Sequence, residues 1–395
     1  MQTKLENNVL TLCLEGRVDS GNAAAMEKEL MEAVAAAPGA GIAIDAEKLE
    51  YISSAGLRVL MKLRKQAKKA LPVLNVSNEV YDIFEVTGFT ELMDVKKRLR
   101  EVSVEGCELI GSGGFGRVYR IDPETIVKIY NPGISMDMVQ HERDTAQKAF
   151  LAGVPTAISY DVVKSGDCYG VVFELLNAKT VAQIMDDDPA RVAEMGQKSA
   201  ALLRELHQIE IEAGALPNRK AEFMSWLPHV EPILEPAEAE EIRALIQSIP
   251  DRTTFLHGDF NSKNIMVQED GEFILIDIGD AAIGHPVFDI ASLVLPYIFL
   301  PRGAFPEEEI HRLLGFRRED APKMWATMCA AYFGLEGPAE IEYMTGRIMP
   351  VAQLMATYQG TRRRGFDVEQ MRQYSLPGIH QRLLPLIRSA QPLEW

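Results

Sequence analysis

Short apolar runs alternate with amphipathic stretches over the first hundred residues. The runs at 9–14, 41–45 and 73–76 have the length and composition of strands, and residues 23–37 are rich in good helix formers. After Ser54, apolar residues are repeated at helical spacing, which places Ser54 near a helix N-terminus. This alternation of strands and helices predicts a small α/β domain.

A different pattern begins at Leu109, where short strands are followed by one helix and a hairpin. The strands are predicted at 109–110, 117–121 and 125–130, the helix at 136–151, and the hairpin at 157–163 and 169–175. The pattern then becomes mostly helical, for example at 190–208 and 236–249, with a short strand at 272–277. The sequence therefore predicts a sheet followed by a helical part.

The two patterns meet in a highly charged stretch between residues 96 and 105. A charged run of this kind could be a basic recognition patch, but we favour a solvated last helix turn followed by a linker. We place the domain boundary here, with domains at 1–103 and 104–395. Within the second domain we expect an N-terminal lobe at 104–176 and a helical C-terminal lobe at 177–395.

The formal charge of −16 falls almost entirely on the second domain. Residues 1–103 hold 14 Lys and Arg against 15 Asp and Glu, and the remaining residues hold 27 against 42. An acidic surface disfavours binding to nucleic acid and to anionic membranes, and it is compatible with cationic substrates. Acidity of this kind can also serve solubility alone.

The cysteines and the apolar segments predict a cytoplasmic protein. Cys13, Cys107, Cys168 and Cys329 lie far apart, without the spacing of a metal site or a disulfide framework. Residues 1–8 are polar, which predicts no signal peptide, and the apolar stretch at 286–300 contains an aspartate and two prolines, which disfavours a membrane span.

A glycine-rich motif opens the second domain, with the sequence Gly111-Ser112-Gly113-Gly114-Phe115-Gly116-Arg117-Val118. It matches the pattern G-x-G-x-x-G-x-V, in which missing side chains let backbone N–H groups approach the phosphates of a nucleotide. We take Gly111, Gly113, Gly116 and Val118 as candidate ATP-binding residues. A glycine hairpin that binds nothing would look the same.

Lys128 and Glu142 follow the glycine motif on the next strand and the next helix. Lys128 stands twelve residues after Gly116 between Val127 and Ile129. In kinase-like folds such a lysine holds the α- and β-phosphates and such a glutamate orients it. We therefore predict an ion pair between Lys128 and Glu142 at a nucleotide site, rather than an ordinary surface lysine.

The segment His257-Gly258-Asp259, followed by Asn264 and then by Asp277 after a strand, carries the strongest chemical signal. Mg²⁺ prefers oxygen ligands, so Asn264 and Asp277 are the candidate metal ligands. Asp259 would orient the acceptor hydroxyl and receive its proton. Taken singly, Asp259 could form a turn and Asn264 could cap a helix. Their order after the glycine motif favours phosphate transfer from ATP.

Three segments carry a family resemblance, with the sequences LHGDFNSKNI from Leu256, IDIGD from Ile276 and GHPVFDIA from Gly284. On these motifs residues 104–395 resemble the aminoglycoside phosphotransferase and choline kinase superfamily. The resemblance implies a bilobal α+β fold like that of protein kinases. It also implies that Asp289 braces the catalytic loop through backbone hydrogen bonds, and that a hinge starting at Glu174 reads adenine through backbone groups.

The acceptor is less well defined by the sequence. Protein kinases have arginine where Gly258 stands and lysine where Asn261 stands, so these two residues favour a small-molecule acceptor over a protein. The glycine motif, in contrast, is close to that of protein kinases. Candidate acceptor contacts in the helical lobe are Glu308, Glu309, Tyr343 and Tyr358, although the sequence favours an ordinary surface or core role for each of them.

Residues 1–103 resemble a STAS domain of the anti-sigma factor antagonist type. The resemblance lies in LEGRVD from Leu14, in IDAEKLEYISSAGL from Ile44, and in the segment from Val76 to Phe89. It aligns Ser54 with a regulatory phosphorylation site, although Ser53 replaces the usual aspartate before it and either serine could be only an N-cap. Phosphate at a helix N-terminus would change the face offered to a protein partner.

The fold expected from the whole sequence is an α/β STAS domain followed by an α+β kinase-like phosphotransferase domain. Two functions remain open. The first is an ATP- and Mg²⁺-dependent enzyme that phosphorylates a small molecule, with a regulatory STAS module. The second is a regulatory protein kinase or nucleotide sensor whose STAS domain binds an anti-sigma-like partner.

Overall fold

The computed structural model describes residues 2–6, 8–67, 71–362, 366–391 and 393. The chain forms two compact units, Met1–Ser103 and Val104–Trp395.

The first unit is a five-stranded sheet with helices in its connections. Its strands lie in the order β1-β2-β3-β4-β5, and all neighbours are parallel except β1 and β2. The strands are β1 (Gln2–Glu6), β2 (Val9–Val18), β3 (Gly41–Ile52), β4 (Pro72–Val76) and β5 (Asp94–Lys97). The helices are α1 (Ala23–Ala36), α2 (Ser54–Ala67), α3 (Asn78–Val86) and α4 (Phe89–Leu92). The predicted α/β alternation is confirmed.

The core of this unit follows from the two sequence periodicities. Leu10, Leu12 and Leu14 alternate along β2 and are all buried, while Leu60 and Leu63 share one face of α2 and are fully buried. These leucines of β2 and α2 belong to one hydrophobic core, so packing holds the helix against the sheet.

The prediction of a helix turn in the charged run was wrong. Residues Asp94–Lys97 form β5, in which Lys97 pairs with Val76 of β4, and Arg100–Glu101 form the short strand β6. A parallel edge strand tolerates charged side chains because one side of it faces solvent.

The second unit begins with antiparallel strands in the order β10-β11-β9-β8-β7. These strands are β7 (Glu108–Ser112), β8 (Gly116–Arg120), β9 (Thr125–Tyr130), β10 (Ser159–Ser165) and β11 (Cys168–Glu174), with α5 (Met136–Leu151) between β9 and β10. The predicted bounds of β9 and α5 and the predicted hairpin are confirmed. Gly166 has a φ of 58° in the hairpin turn, a conformation that glycine adopts without strain.

The remaining residues are mostly helical around one large apolar core. The strands are β12 (Ala178–Thr180), β13 (Phe255–Leu256), β14 (Ile265–Gln268), β15 (Phe273–Leu275) and β16 (Ala282–Ile283). The first helices are α6 (Val181–Asp187), α7 (Val192–Leu206), α8 (Arg219–Val230), α9 (Pro236–Ser248), α10 (Val287–Ser292) and α11 (Leu300–Arg302). The last helices are α12 (Glu307–Leu314), α13 (Ala321–Phe333), α14 (Pro338–Arg362), α15 (Val368–Tyr374), α16 (Leu376–Gly378) and α17 (Leu384–Arg388).

Two predicted elements are shorter than expected. The helix predicted at 190–208 is the 3₁₀ turn Pro189–Arg191 followed by α7, and the strand predicted at 272–277 ends at Leu275. Asp277 has a φ of 60°, in the left-handed region, and this conformation cannot continue a strand. Among the described helices, none combines the length and the apolar character that crossing a membrane requires.

Candidate active site

Lys128 lies between two carboxylates. Its Nζ atom is 2.7 Å from Glu142 Oε1 on α5 and 2.8 Å from Asp277 Oδ1. The predicted ion pair with Glu142 is confirmed, and the contact with Asp277 joins the sheet to the segment after β15. Burial alone would lower the pKa of Lys128, but Asp277 and Glu142 hold it above its usual value. The lysine is therefore a fixed cation.

Glycine at position 279 allows this approach. A Cβ there would lie 2.9 Å from Cγ of Glu142, closer than side chains tolerate. The 3₁₀ turn Ile278–Asp280 can therefore lie directly against α5.

The glycine motif forms the turn between β7 and β8. The Gly113 N–H donates to the Gly116 carbonyl at 2.9 Å, and the Asn131 amide group donates to the Gly114 carbonyl at 2.9 Å. A Cβ on Gly116 would overlap the carbonyl oxygen of Ile129, whereas Gly113 and Gly114 face open space. Gly116 thus serves the sheet, and Gly113 and Gly114 leave open space beside the loop. Gly111 lies against Val118, where a Cβ would make ordinary contacts at 3.5 Å.

Asp289 holds the start of the candidate catalytic loop, residues 257–264. Its fully buried carboxylate accepts the backbone N–H groups of His257 and Gly258, both at 2.8 Å. Burial alone would raise the pKa of Asp289, but the hydrogen bond and charge of His207, with help from His257 and the Gly258 N–H, hold the pKa below its usual value. The bracing role expected for Asp289 is confirmed.

Asp259 is held within the same loop by its neighbours. Asn264 Nδ2 donates to the backbone oxygen of Asp259 at 2.9 Å and to its Oδ2 at 3.0 Å. The Asp259 N–H donates to His257 Nδ1 at 3.2 Å. Burial and the charges of Asp277 and Asp280 raise the pKa of Asp259 against the opposing effect of His257. A carboxylate in these surroundings is a stronger base than an exposed one.

The side-chain oxygens of Asn264 and Asp277 are suitable ligands for Mg²⁺. The amide hydrogens of Asn264 are used on Asp259, which leaves its amide oxygen as an acceptor, and Asp277 uses one carboxylate oxygen on Lys128. Mg²⁺ is usually held by one or two protein oxygens together with phosphate oxygens and water. The described residues contain no group of three or more His, Cys, Asp or Glu arranged to hold a metal.

Glu174 lies at the end of β11, where the hinge is expected. Its carboxylate accepts the Ile158 N–H at 2.7 Å, and the next residue, Leu175, donates its N–H to the Glu124 carbonyl at 2.7 Å. The side chain of Glu174 thus fastens β11 to the segment before β10. Adenine recognition by this segment stays a prediction that concerns backbone groups.

The residues suggested for acceptor contacts do not come together. Tyr358 lines a cavity of about 470 Å³ in the helical part, and Glu308 lines a different cavity of about 680 Å³. Glu309 pairs with Arg312, and the Tyr343 hydroxyl donates to Gln391.

Arg219 was missed by the sequence reasoning. Its guanidinium donates to the Asp280 carbonyl at 2.5 Å, next to Gly258. It stands outside every motif, and the carbonyl that it contacts lies 61 residues away in the chain, so the sequence offers no local signal for it.

The two serines of the first unit have different surroundings. The Ser53 hydroxyl accepts the Gly56 N–H at 3.4 Å at the start of α2, whereas Ser54 is the first residue of that helix and is exposed. The capping contact therefore belongs to Ser53.

Comparison with known proteins agrees with the division of the chain into two units. The model of a phosphotransferase enzyme family matches residues 106–326, and a STAS domain model described as Mlab matches residues 1–95. BtrV of Bordetella bronchiseptica, named as an anti-sigma factor antagonist, is 35% identical over 92 residues, which are 22% of this chain and 78% of that protein.

Solved structures of low sequence similarity also match. The gentamicin–APH(2'')-IIa complex has a TM-score of 0.46 at 17% identity, covering 71% of this chain and 92% of that one. Aminoglycoside phosphotransferase APH(2'')-Ib with ADP has a TM-score of 0.44 at 17% identity, covering 72% and 92%. Similarity at this level says nothing about the substrate. The family models decide the assignment: the chain belongs to the phosphotransferase enzyme family and carries a STAS domain in front of its phosphotransferase domain.

Proposed function

We propose that residues 104–395 transfer the γ-phosphate of ATP to a hydroxyl group of a small molecule, with Mg²⁺ as cofactor. The observation that supports this most strongly is the position of Lys128 between Glu142 and Asp277, since it joins a fixed cation to a candidate metal ligand. The expected cytoplasmic location agrees with the use of ATP.

Each residue then has a part in the reaction. Lys128 binds the α- and β-phosphates and is kept in place by Glu142, while the open space at Gly113 and Gly114 lets the phosphates approach the glycine loop. Asn264 and Asp277 would hold Mg²⁺, which when bound would supply positive charge beside the transferred group. Asp259 accepts a hydrogen bond from the acceptor hydroxyl. It takes the hydroxyl proton as the acceptor oxygen bonds to the γ-phosphorus and the bond from that phosphorus to the bridging oxygen breaks, which releases ADP.

The cavity of about 470 Å³ in the helical part is the candidate site for the acceptor. It is lined by Glu222, Ser225, Trp226, His229, Tyr358, Thr361, Arg362 and Phe366. Its size and its mixture of aromatic and polar groups are those of a site for a small molecule. We therefore propose it as the acceptor site, in preference to the charged cavity beside Glu308.

A screen of acceptors tests this function. The full-length protein is incubated with ATP, Mg²⁺ and a panel of hydroxyl-containing metabolites and antibiotics, and ADP release is followed. We expect at least one acceptor to stimulate ADP release in the wild type and not in Asp259→Asn. A panel without effect, together with equal rates in the two proteins, would exclude the proposal.

A second candidate function is phosphorylation of Ser54, by this protein or by another kinase, with consequences for a protein partner of the STAS domain. The exposure of Ser54 at the start of α2, with Ser53 as the capping residue, favours it. Incubation with labelled ATP distinguishes the two functions. Self-phosphorylation at Ser54 predicts label in the wild type and in Ser53→Ala but not in Ser54→Ala or Asp259→Asn. Label that is unchanged in Ser54→Ala would exclude self-phosphorylation at this residue.

A further inference from the structure

Arg219 occupies a fixed position beside the catalytic loop. It is the first residue of α8, and Asn218 before it caps the helix by accepting the Ala221 N–H at 2.9 Å. The segment before α8 is held by the Ile283 N–H, which donates to the Pro217 carbonyl at 2.7 Å. Ile283 belongs to β16, which pairs with β13 immediately before the catalytic loop. The start of α8 is thus attached to β16, the neighbour of the strand that leads into the catalytic loop.

The guanidinium of Arg219 contacts a backbone carbonyl beside the catalytic loop and a carboxylate of its own helix, α8. Nη2 donates to the backbone carbonyl of Asp280 at 2.5 Å, and Nη1 donates to Glu222 Oε2 at 2.7 Å. The side chain is only 11% exposed. Since the guanidinium is planar and always charged, its two contacts fix its orientation.

Gly258 provides the space for this arrangement. Its φ is 83°, and a Cβ there would overlap the Asp280 carbonyl and lie 2.7 Å from Arg219 Nη2. The absence of a side chain at 258 therefore lets the catalytic loop, the carbonyl of Asp280 and the guanidinium meet at one point. Asp259 follows Gly258 directly, and Asp280 ends the 3₁₀ turn that begins after Asp277.

Glu222, the second partner of Arg219, lines the 470 Å³ cavity. A second connection runs through aromatic rings. Phe223 contacts Tyr358 of the cavity wall at a ring separation of 4.7 Å and stacks on Phe288 at 5.4 Å. Phe288 precedes Asp289, whose carboxylate holds the catalytic loop. The cavity wall is thus joined to the catalytic loop by two routes.

We propose that Arg219 is a positioning residue that sets the separation of Asp259 from Asp277 and couples the cavity to the catalytic loop through Glu222. The inference rests on the proposed phosphotransferase function and deepens it. Without the guanidinium, the Asp280 carbonyl loses its donor, and the segment that ends at Asp280 keeps only its backbone attachment to the start of α8. Lysine would keep the charge but cannot span both partners with a planar group.

The test compares three variants in the full-length protein. Arg219→Met removes the bridge, and Arg219→Lys keeps a charge. Arg243→Met is the matched control, because Arg243 likewise contacts two groups, the carboxylates of Glu231 and Glu240. ATP turnover is measured with water as acceptor and with any acceptor found in the screen. Binding of Mg²⁺ and a non-hydrolysable ATP analogue is measured by calorimetry, and folding by thermal unfolding.

We expect kcat of Arg219→Met to fall by roughly 10- to 100-fold, because small misplacements of catalytic groups have effects of this size. KM for ATP and the affinity for the analogue should stay at wild-type values, Arg219→Lys should recover part of kcat, and Arg243→Met should match the wild type. Arg219→Met with the kcat of Arg243→Met would overturn the inference while the wild type remains active. A wild type that neither binds the analogue nor turns over ATP would instead contradict the proposed function, and the inference with it.

Discussion

Lys128 and Asp277, which are 149 residues apart in the chain, form an ion pair with a distance of 2.8 Å between Nζ and Oδ1. Glu142 holds the same ammonium group at 2.7 Å. The pair joins the sheet of the second unit to the segment after β15. The candidate phosphate-binding lysine and the candidate Mg²⁺ ligand are therefore already adjacent. An incoming phosphate would compete with Asp277 for the lysine, which leaves Asp277 available to the metal.

Replacement of Lys128 by methionine should lower kcat/KM for ATP by roughly 100-fold, because it removes a preorganised cation from the phosphates. The matched control is Lys179→Met, since Lys179 forms an exposed ion pair with Asp187 in the same unit. Steady-state kinetics check both variants. If the two substitutions had the same effect, Lys128 would not act on the nucleotide.

Glycines 113 and 116 should respond differently to alanine. Gly116→Ala places a Cβ into the Ile129 carbonyl and should destabilise the sheet, whereas Gly113→Ala points into open space and should leave stability unchanged. If the Gly113 backbone contacts phosphates, its variant should bind ATP more weakly. Thermal unfolding and calorimetric titration with Mg²⁺–ATP separate the two effects, and a Gly113→Ala protein with wild-type affinity would place the phosphates elsewhere.

Gly258→Ala should abolish turnover, because the new Cβ overlaps the Asp280 carbonyl and displaces the catalytic loop. Gly271→Ala is the control, since Gly271 also has a positive φ, 88°, but has no atom near its Cβ position. Gly271→Ala should lose only the backbone term of about 1 kcal/mol of stability. Assays of ATP turnover and thermal unfolding check both, and an active Gly258→Ala protein would show that the loop can move without loss of function.

Asp289→Asn should lower the free energy of unfolding of the second unit by about 3 kcal/mol at neutral pH, because a buried carboxylate that accepts several hydrogen bonds is lost. The pKa of Asp289 is lowered in the folded state. Its stabilisation is therefore present above the unfolded value of about 3.9 and is lost as pH falls through the folded pKa.

Urea unfolding at neutral and acid pH measures this dependence. The difference between wild type and Asp289→Asn should shrink on acidification. Asp251→Asn serves as the control, since its side chain is 80% exposed. A difference that stays constant down to acid pH would show that the carboxylate charge is not what stabilises the loop.

The parts of the site predicted from sequence are those in which consecutive elements carry the signal. Lys128 and Glu142 stand on β9 and α5, which follow each other, and the patterns of these elements are strong enough to fix their bounds. The motif around Asp259 likewise contains Asn264 within one loop.

The parts that were missed depend on contacts between distant segments. The charged run at 96–105 has no strand pattern of its own, yet its first residues belong to β5, which pairs with β4. The role proposed for Arg219 depends on its contact with the Asp280 carbonyl, 61 residues away in the chain. Backbone partners of this kind leave no trace in residue types.

The transfer of phosphate itself is the most direct test of the proposed function. Phosphorus NMR of a mixture of full-length protein, Mg²⁺, ATP and an active acceptor follows the fate of the γ-phosphate. We predict a new phosphomonoester signal that grows in step with ADP in the wild type and is absent with Asp259→Asn. Inorganic phosphate as the sole product, or the same phosphomonoester signal with Asp259→Asn, would contradict the account.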